Sequence, residues 1–210
     1  MLPEKTVERL SGFRRTLLNC LKEGKTHIYS HELAKIHNIT AVQVRRDIMF
    51  IGYSTSQKKG YDIKALVEKI GEVLDKAEDQ NVGVVGMGNL GKAVTGYFVG
   101  KRPKLKLIAA FDIDPKKFNR VISGIKCYPF ENLEQIVKEQ NIAIVLLAVP
   151  PDSAQQVAEK LAVCGIKGIL NFTSVPLNLP PNVYIEEYDM ITSLEKVAYF
   201  VKWQQNINNF

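Results

Sequence analysis

Six residues near the middle of the chain have the types and spacing of a phosphate-binding turn. Gly86-Met87-Gly88-Asn89-Leu90-Gly91 directly follows the apolar run 82–85 and opens an amphipathic stretch. In such a turn the first glycine permits a sharp bend, the second lets the backbone approach a pyrophosphate, and the third lets helix and strand pack closely. The amides and the dipole at the helix start then hold the phosphates. The pattern predicts a dinucleotide site formed by Gly86, Gly88, Asn89, Leu90 and Gly91.

An acidic residue stands at the matching distance from this turn. Asp112 ends the next apolar run and lies 21 residues after Gly91. A carboxylate at that spacing receives both hydroxyls of the adenosine ribose and repels a 2′-phosphate. The sequence therefore predicts NADH and NAD⁺ as ligands rather than NADPH and NADP⁺, with Asp114 as an alternative ribose contact.

The same region carries no evident proton-handling group. All three histidines, His27, His31 and His37, lie in the first third of the chain, and no Tyr-x-x-x-Lys pair occurs in a suitable helix. Only about 60 residues follow the strand end at Pro150, which leaves little room for a substrate domain. We therefore expect a bound cofactor that is sensed and not turned over, and no enzyme activity. A small NAD-dependent oxidoreductase and a domain that binds coenzyme A or another nucleotide remain alternatives.

Charge is distributed unevenly along the chain. Residues 1–64 contain 12 of the 28 lysines and arginines but only 6 of the 22 acidic residues, so the whole net charge of +6 falls there. Such asymmetry favours an anionic partner for this part, with double-stranded DNA as the leading candidate. A merely soluble surface is the alternative.

The basic part also has the pattern of a helix-turn-helix. A helix over 6–23, capped by Thr6, precedes a short helix capped by Ser30 and a third helix that starts at Thr40 and ends at Gly52. Segments 53–57 and 60–63 would form a hairpin with Lys58 and Lys59 at its tip, and a further helix runs from 63 to about 77.

Polar residues near the start of the third helix are candidates for reading DNA. Gln43 and Arg46 lie broadly opposite its apolar face, with Arg45 at the flank, and such side chains recognise base edges in a major groove. Alternatively, Gln43 closes a capping box with Thr40 and Arg46 pairs with nearby acids. The predicted DNA-binding residues are Ser30, Gln43, Arg45, Arg46, Lys58 and Lys59.

The remainder alternates apolar runs with helical patterns. Strands are predicted at 82–85, 105–111, 124–128, 142–149, 168–172 and 183–185, and helices at 89–99, 133–139, 153–164 and 193–204. Such alternation indicates an α/β fold with a doubly wound parallel sheet. We expect a winged helix-turn-helix domain over 1–78, a Rossmann domain over 79–190 and a C-terminal helix over 191–210.

Other features limit the possible classes of protein. No apolar stretch is long enough to span a membrane, and the charged start Met1-Leu2-Pro3-Glu4-Lys5 lacks the pattern of a signal peptide. Cys20, Cys127 and Cys164 match no metal-binding spacing, so reduced thiols, no metal site and a cytoplasmic location are expected.

Taken together, these motifs resemble the bacterial redox-sensing transcriptional repressors of the Rex family, over nearly the whole length. The segments that carry the resemblance are 40–47 in the third helix, 86–91, 110–112, 165–172 and the final helix. The resemblance implies a homodimer whose C-terminal helix is swapped between subunits and inserts near the partner's N-terminal domain. It also implies that the dimer binds operator DNA and that NADH binding releases that DNA.

The resemblance also assigns residues. Tyr97 matches a tyrosine near the nicotinamide, and Ala148, Val149, Pro150 and Thr173 belong to segments that face the cofactor. Arg15 and Asp189 match a pair between domains that changes partners with the ligand. The alternatives are a helix-core role for Tyr97 and a solvated charge for Arg15. The hairpin departs from the family, because Ser56-Gln57-Lys58-Lys59-Gly60-Tyr61 keeps only the final Gly-Tyr and has lysines in place of small residues.

Overall fold

The computed structural model describes residues 1–54, 60–100, 102 and 104–207. The chain forms two compact units, Met1–Ala77 and Glu78–Phe210. The division falls one residue before the boundary expected after residue 78.

Within residues 1–54 and 60–77, the first unit contains four helices and a small sheet. Its helices are α1 (Glu4–Lys22), α2 (Ser30–Ile36), α3 (Ala41–Phe50) and α4 (Ile63–Leu74). Strand β1 (His27–Ile28) pairs with strand β2 (Tyr61–Asp62) in antiparallel fashion. Apolar side chains from all four helices fill one core, including the fully buried Phe13, Leu33, Ile48 and Leu66. The helix-turn-helix formed by α2 and α3 therefore packs in one hydrophobic core with α1 and α4.

Two predicted helix caps in this unit are wrong. Thr6 does not cap α1, because that helix already begins at Glu4 after Pro3, and the buried Thr6 hydroxyl contacts Arg9 and Asp47 instead. Ser30 does not cap α2 either, since Tyr29 takes the N-cap position and the Ser30 hydroxyl accepts a hydrogen bond from Arg45. Thr40 does cap α3, with its hydroxyl accepting from the Gln43 amide at 3.1 Å.

The predicted hairpin is only partly within the described residues. Its second half forms β2, which pairs with His27–Ile28. Residues 55–59, which include Lys58 and Lys59, lie outside the described residues.

In the described part of the second unit, seven strands form one sheet with helices between the strands. Strands β3 (Gln80–Val85), β4 (Leu105–Asp112), β6 (Ile125–Pro129), β7 (Ile142–Leu147), β8 (Gly168–Asn171) and β9 (Tyr184–Glu187) are parallel, and β5 (Val121–Ile122) is the antiparallel edge. The helices are α5 (Asn89–Phe98), α6 (Leu133–Glu139), α7 (Pro151–Val163) and α8 (Met190–Ile207).

The strand order places a crevice at the centre of this sheet. The order is β5-β6-β4-β3-β7-β8-β9, so the parallel strands run outward in both directions from the β3–β7 neighbours. This is the doubly wound arrangement, in which ligands bind beyond the carboxyl ends of the strands at the point where the order reverses. The helix predicted at 153–164 begins two residues earlier, at Pro151, whose fixed φ suits the first turn of α7.

Candidate functional site

The glycine turn lies at the reversal point of the sheet and is shaped by close backbone approach. Gly86 has a φ of 93°, and a Cβ there would lie 2.4 Å from the Ala148 carbonyl oxygen. A Cβ on Gly91 would lie 1.8 Å from the Gly86 carbonyl oxygen. Both distances are far shorter than any contact between non-bonded carbon and oxygen atoms. The fold itself therefore requires glycine at these two positions.

Gly88 differs from the other two glycines. It is exposed at the N-cap of α5, and a Cβ there would meet no protein atom within 4 Å. Its φ of −73° is open to any residue, and no side chain caps this helix start. The turn therefore leaves an open space in front of the α5 amides, as a phosphate would require. Asn89 and Leu90 form the first turn of that helix.

Asp112 is fixed beside the turn by three donors. Its carboxylate accepts hydrogen bonds from the Met87 amide at 2.7 Å, the Asp114 amide at 2.9 Å and Lys117 Nζ at 2.9 Å. Burial acts to raise the pKa of Asp112, but the Lys117 contact and the two amides outweigh it and hold that pKa below its usual range. The group is therefore an oriented anion at neutral pH, with the geometry to accept ribose hydroxyls.

The carboxyl end of β7 forms the other wall of the crevice. The Ala148 amide donates to the Val85 carbonyl at 2.8 Å, which ties this strand end to the turn. Ala148 and Val149 are half-buried, while Pro150 is exposed. These three predicted residues therefore lie across from Gly86, at the same edge of the sheet.

Thr173 belongs to a loop that is held by buried polar contacts. Asn171, which is 1% exposed, accepts from the Thr173 amide and hydroxyl and donates from Nδ2 to the Val175 carbonyl at 2.8 Å and to Glu187 at 2.6 Å. The loop after β8 is thus anchored to β9 at the carboxyl edge of the sheet. The resemblance placed the 171–176 segment at the cofactor, but it gave no role to Glu187.

Tyr97 lies on α5, six residues beyond the last glycine of the turn. Its side chain is 56% exposed and packs edge-to-face against Phe98. The alternative of a helix-core residue is therefore wrong for Tyr97, and its ring is accessible from solvent.

The exposed face of α3 is the candidate nucleic-acid interface. Arg45 and Arg46 are exposed on it, beside Val42 at 65% and Met49 at 70% exposure. Arg45 also donates to the Ser30 hydroxyl at 3.2 Å, which links the starts of α2 and α3. No ion pair of Arg46 occurs among the described residues, so the structure gives no support to its pairing with nearby acids.

Gln43 lies at the border of this face and is only half exposed. Its Nε2 donates to Asp47 Oδ1 at 2.9 Å. The side chain is therefore not turned back to close a capping box at the Thr40 backbone N–H. Asp47 is fully buried and also accepts hydrogen bonds from Nε and Nη2 of the Arg9 guanidinium. Sequence reasoning gave no role to Asp47 or Arg9, because no local spacing relates Arg9 to α3.

The two residues of the predicted interdomain pair lie in different units. Arg15 is exposed on α1, and its charge adds to burial in lowering the pKa of His37. Asp189 caps α8, since its carboxylate accepts from the amides of Ile191 and Thr192 and from the Thr192 hydroxyl. These hydrogen bonds, that of the Thr192 hydroxyl foremost, hold the pKa of Asp189 below its usual range.

Other chemistry finds little support in the described part of the chain. No group of three His, Cys, Asp or Glu side chains there is placed to hold a metal ion. Burial raises the pKa of Cys127 to about 11, so this thiol stays protonated near neutral pH. Among the described helices, none has the length and apolar character needed to cross a bilayer.

Comparison with protein families divides the chain as the structure does. Residues 1–48 match the family described as "Putative DNA-binding protein N-terminus", and residues 77–175 match the family described as "CoA binding domain". The first match contains α1, α2 and most of α3, while the second contains the glycine turn and the sheet from β3 to β8.

Two relatives that match nearly the whole chain have the same name. The redox-sensing transcriptional repressor Rex of Lactobacillus acidophilus is 33% identical over 200 residues, which is 95% of this chain and 95% of that protein. The protein of the same name from Lactobacillus gasseri is 33% identical over 207 residues, covering 99% of this chain and 97% of that protein.

Solved structures agree over the full length. The crystal structure of RSP, a Rex-family repressor, superposes with a TM-score of 0.86 at 28% identity, covering all of this chain and 98% of that one. RSP in complex with β-NAD⁺ and operator DNA gives a TM-score of 0.89 at 29% identity, covering all of this chain and 96% of that one. The chain therefore belongs to the Rex family of redox-sensing transcriptional repressors, which are regulators and not enzymes.

Proposed function

We propose that this protein binds NADH and NAD⁺ at the glycine turn, binds operator DNA as a homodimer through α3, and releases the DNA when NADH binds. RSP has been crystallised with β-NADH and with β-NAD⁺ and operator DNA, so its family contains both complexes. The observation that carries the proposal here is the placement of the fixed carboxylate of Asp112 beside the open turn at Gly88. The proposed cofactor-binding residues are Gly86, Gly88, Asn89, Leu90, Gly91, Tyr97, Asp112, Ala148, Val149, Pro150 and Thr173.

On the DNA side, Arg46 and Arg45 would meet bases and phosphates in a major groove, with Ser30 holding Arg45. The exposed Val42 is suited to contact a thymine methyl group. Lys58 and Lys59 are proposed phosphate or minor-groove contacts on sequence grounds alone. A DNA partner of this kind and a soluble dinucleotide place the protein in the cytoplasm.

The homodimer is proposed from the surface of α8. Every side chain of this helix from 190 to 204 is exposed, although most of its large residues are apolar: Met190, Ile191, Leu194, Val197, Tyr199, Phe200, Val201 and Trp203. An apolar surface of this extent marks an interface. A second copy of the chain, exchanging this helix, is the partner that the family resemblance supplies.

The switch follows from thermodynamic linkage. If NADH binds better to a dimer whose two α3 helices are misplaced for DNA, then NADH weakens DNA binding by the same factor by which DNA weakens NADH binding. A coupling of about 1–3 kcal/mol gives a change of roughly 5- to 150-fold, which is enough for a regulator.

The input site is tested with a matched pair of acidic residues. Asp112→Ala removes the ribose acceptor, whereas Asp114→Ala removes the cap of a short 3₁₀ turn and a longer ion pair with Lys117 at 3.8 Å. We expect NADH affinity, measured by calorimetry, to fall about tenfold or more in Asp112→Ala and to change little in Asp114→Ala. DNA binding without NADH should persist in both variants, but Asp112→Ala should need more NADH for release.

The coenzyme A alternative, which the family description of residues 77–175 raises, is tested in the same experiment. Coenzyme A binding by wild type with no NADH binding would overturn the proposal, as would unchanged NADH affinity in Asp112→Ala. A reversed pattern, with Asp114→Ala as the impaired variant, would move the ribose contact to Asp114.

The proposed pair of Arg15 and Asp189 gives a second prediction. Asp189→Asn keeps an oxygen for the amides of Ile191 and Thr192 but removes the charge that Arg15 would meet. We expect Asp189→Asn to bind NADH and DNA separately with near-normal affinity. NADH should no longer release the DNA from this variant. Ser193→Ala, which removes only a hydroxyl at the same helix start, is the control. Normal NADH-driven release by Asp189→Asn would contradict this role.

A further inference from the structure

A buried carboxylate lies directly beneath the start of α3. Asp47 is 0% exposed and receives Arg9 Nε at 2.5 Å, Arg9 Nη2 at 2.8 Å, the Thr6 hydroxyl at 3.4 Å and Gln43 Nε2 at 2.9 Å. The hydrogen bond to Asp47 is the main cause that raises the pKa of Arg9. The two-pronged contact of a guanidinium already satisfies a buried carboxylate, so the fold does not depend on the additional donor from Gln43.

The contact has a clear consequence for Gln43. A primary amide carries an acceptor oxygen and a nitrogen with two protons, and the two ends look alike in shape. One proton of Nε2 is directed to the buried carboxylate, which accepts only and cannot tolerate the amide oxygen in its place. The Gln43 amide is therefore held in one of its two orientations, while no hydrogen bond is recorded to its Oε1 among residues 1–54 and 60–77.

The backbone holds the same residue from the other side. The Gln43 backbone N–H donates to the Thr40 hydroxyl at the cap of α3, so the position of its backbone at the helix start is fixed as well. Gln43 lies in the first turn, the part of a recognition helix that meets base edges. The side chain still offers one Nε2 proton as a donor and Oε1 as an acceptor.

We propose that Asp47 is a positioning residue for DNA readout: it orients the Gln43 amide so that Oε1 and the free Nε2 proton recognise the N6 amine and N7 of one adenine in each half-site. This inference rests on the proposed DNA-binding function of α3. Adenine alone presents an acceptor and a donor in that order in the major groove, which is why glutamine recognises it with two hydrogen bonds. The reversed amide would favour a different base, so fixing its orientation selects the sequence.

The test first defines the half-site. Full-length wild-type protein with NAD⁺ is used to enrich bound duplexes from a randomised library. If wild type enriches no sequence, the proposed DNA-binding function fails, independently of this inference. If it does enrich one, Gln43→Ala should lose its preference at a single adenine position per half-site and keep the others.

The second step removes the carboxylate without leaving a buried charge. In Arg9→Met with Asp47→Leu, apolar side chains replace the ion pair, an exchange that proteins often tolerate. We expect this double variant to lose preference at the same position as Gln43→Ala and to keep the rest of the half-site. Thr6→Ala removes the longest contact to Asp47 and a hydrogen bond from Arg9, but leaves the contact of Gln43 with Asp47, and should retain the wild-type preference. A purely structural role would weaken binding at all positions alike.

A third arm uses wild-type protein and does not depend on any variant folding. Replacing the adenine by 7-deazaadenine removes N7, and replacing it by purine removes the N6 amine. Each change should weaken wild-type binding about tenfold, with little effect on Gln43→Ala. Insensitivity of wild type to both analogues overturns the proposal. So does a double variant that folds and retains the adenine preference that Gln43→Ala loses.

Discussion

Gly88→Ala is expected to remove most NADH binding while leaving the fold intact. The protein makes no use of the space beside Gly88, since a Cβ there would meet no atom within 4 Å, and its backbone angles suit any residue. A methyl group would instead occupy the space through which a pyrophosphate approaches the α5 amides. We expect NADH affinity to fall about 100-fold, which is roughly 2.7 kcal/mol of binding free energy. The free energy of unfolding should change by less than about 1 kcal/mol.

Gly96→Ala is the matched control for this substitution. Gly96 is exposed on the same helix, and a Cβ there also meets nothing within 4 Å. Alanine should stabilise the helix slightly and leave NADH affinity unchanged. Calorimetric titration of both variants, with melting curves, decides the matter: near-normal NADH affinity in Gly88→Ala would place the phosphates elsewhere.

Charged residues on α8 are expected to abolish tight operator binding. Leu194→Glu with Val201→Glu places two carboxylates two turns apart on an apolar helix whose residues are 69% and 48% exposed in one chain. Glutamate is a good helix former, so the helix itself should persist. If α8 joins two copies, the variant becomes a monomer and loses the gain from engaging two half-sites at once, about 100-fold or more in affinity.

The control for α8 exchanges polar residues of the same helix. Glu195→Gln with Lys202→Gln alters two exposed charged side chains and should leave both dimer and operator affinity unchanged. Sedimentation analysis reports the mass, and fluorescence anisotropy reports DNA affinity. A dimer that survives the two glutamates would show that α8 is not the subunit interface.

The main strands and helices follow from patterns that are visible in the sequence. The continuous apolar run at 142–149 predicts a strand covered on both faces, and β7 lies inside the sheet, between β3 and β8. The apolar run before Gly86 predicts β3 in the same way, and Asp112 ends β4 beside the turn, as its spacing requires. Thr40 caps α3 because a hydroxyl before an amphipathic stretch satisfies a free amide.

The features that the sequence did not predict depend on contacts between distant residues. Strand β1 is two residues long, too short for a periodic pattern, and is defined only by pairing with Tyr61 and Asp62. Arg9 reaches Asp47 across 38 positions, so no spacing rule finds the pair that orients Gln43. Lys117 contacts Asp112 only because a 3₁₀ turn brings its side chain back to the end of β4.

The central claim is that the reduced cofactor, and not the dinucleotide as such, controls DNA binding. It is tested most directly by titrating the complex of wild-type protein and a labelled duplex carrying the enriched half-sites with NADH and, separately, with NAD⁺, and following fluorescence anisotropy. We expect NADH to release the duplex at concentrations at which NAD⁺ leaves it bound. Equal release by the two forms, or release by neither, would contradict the account.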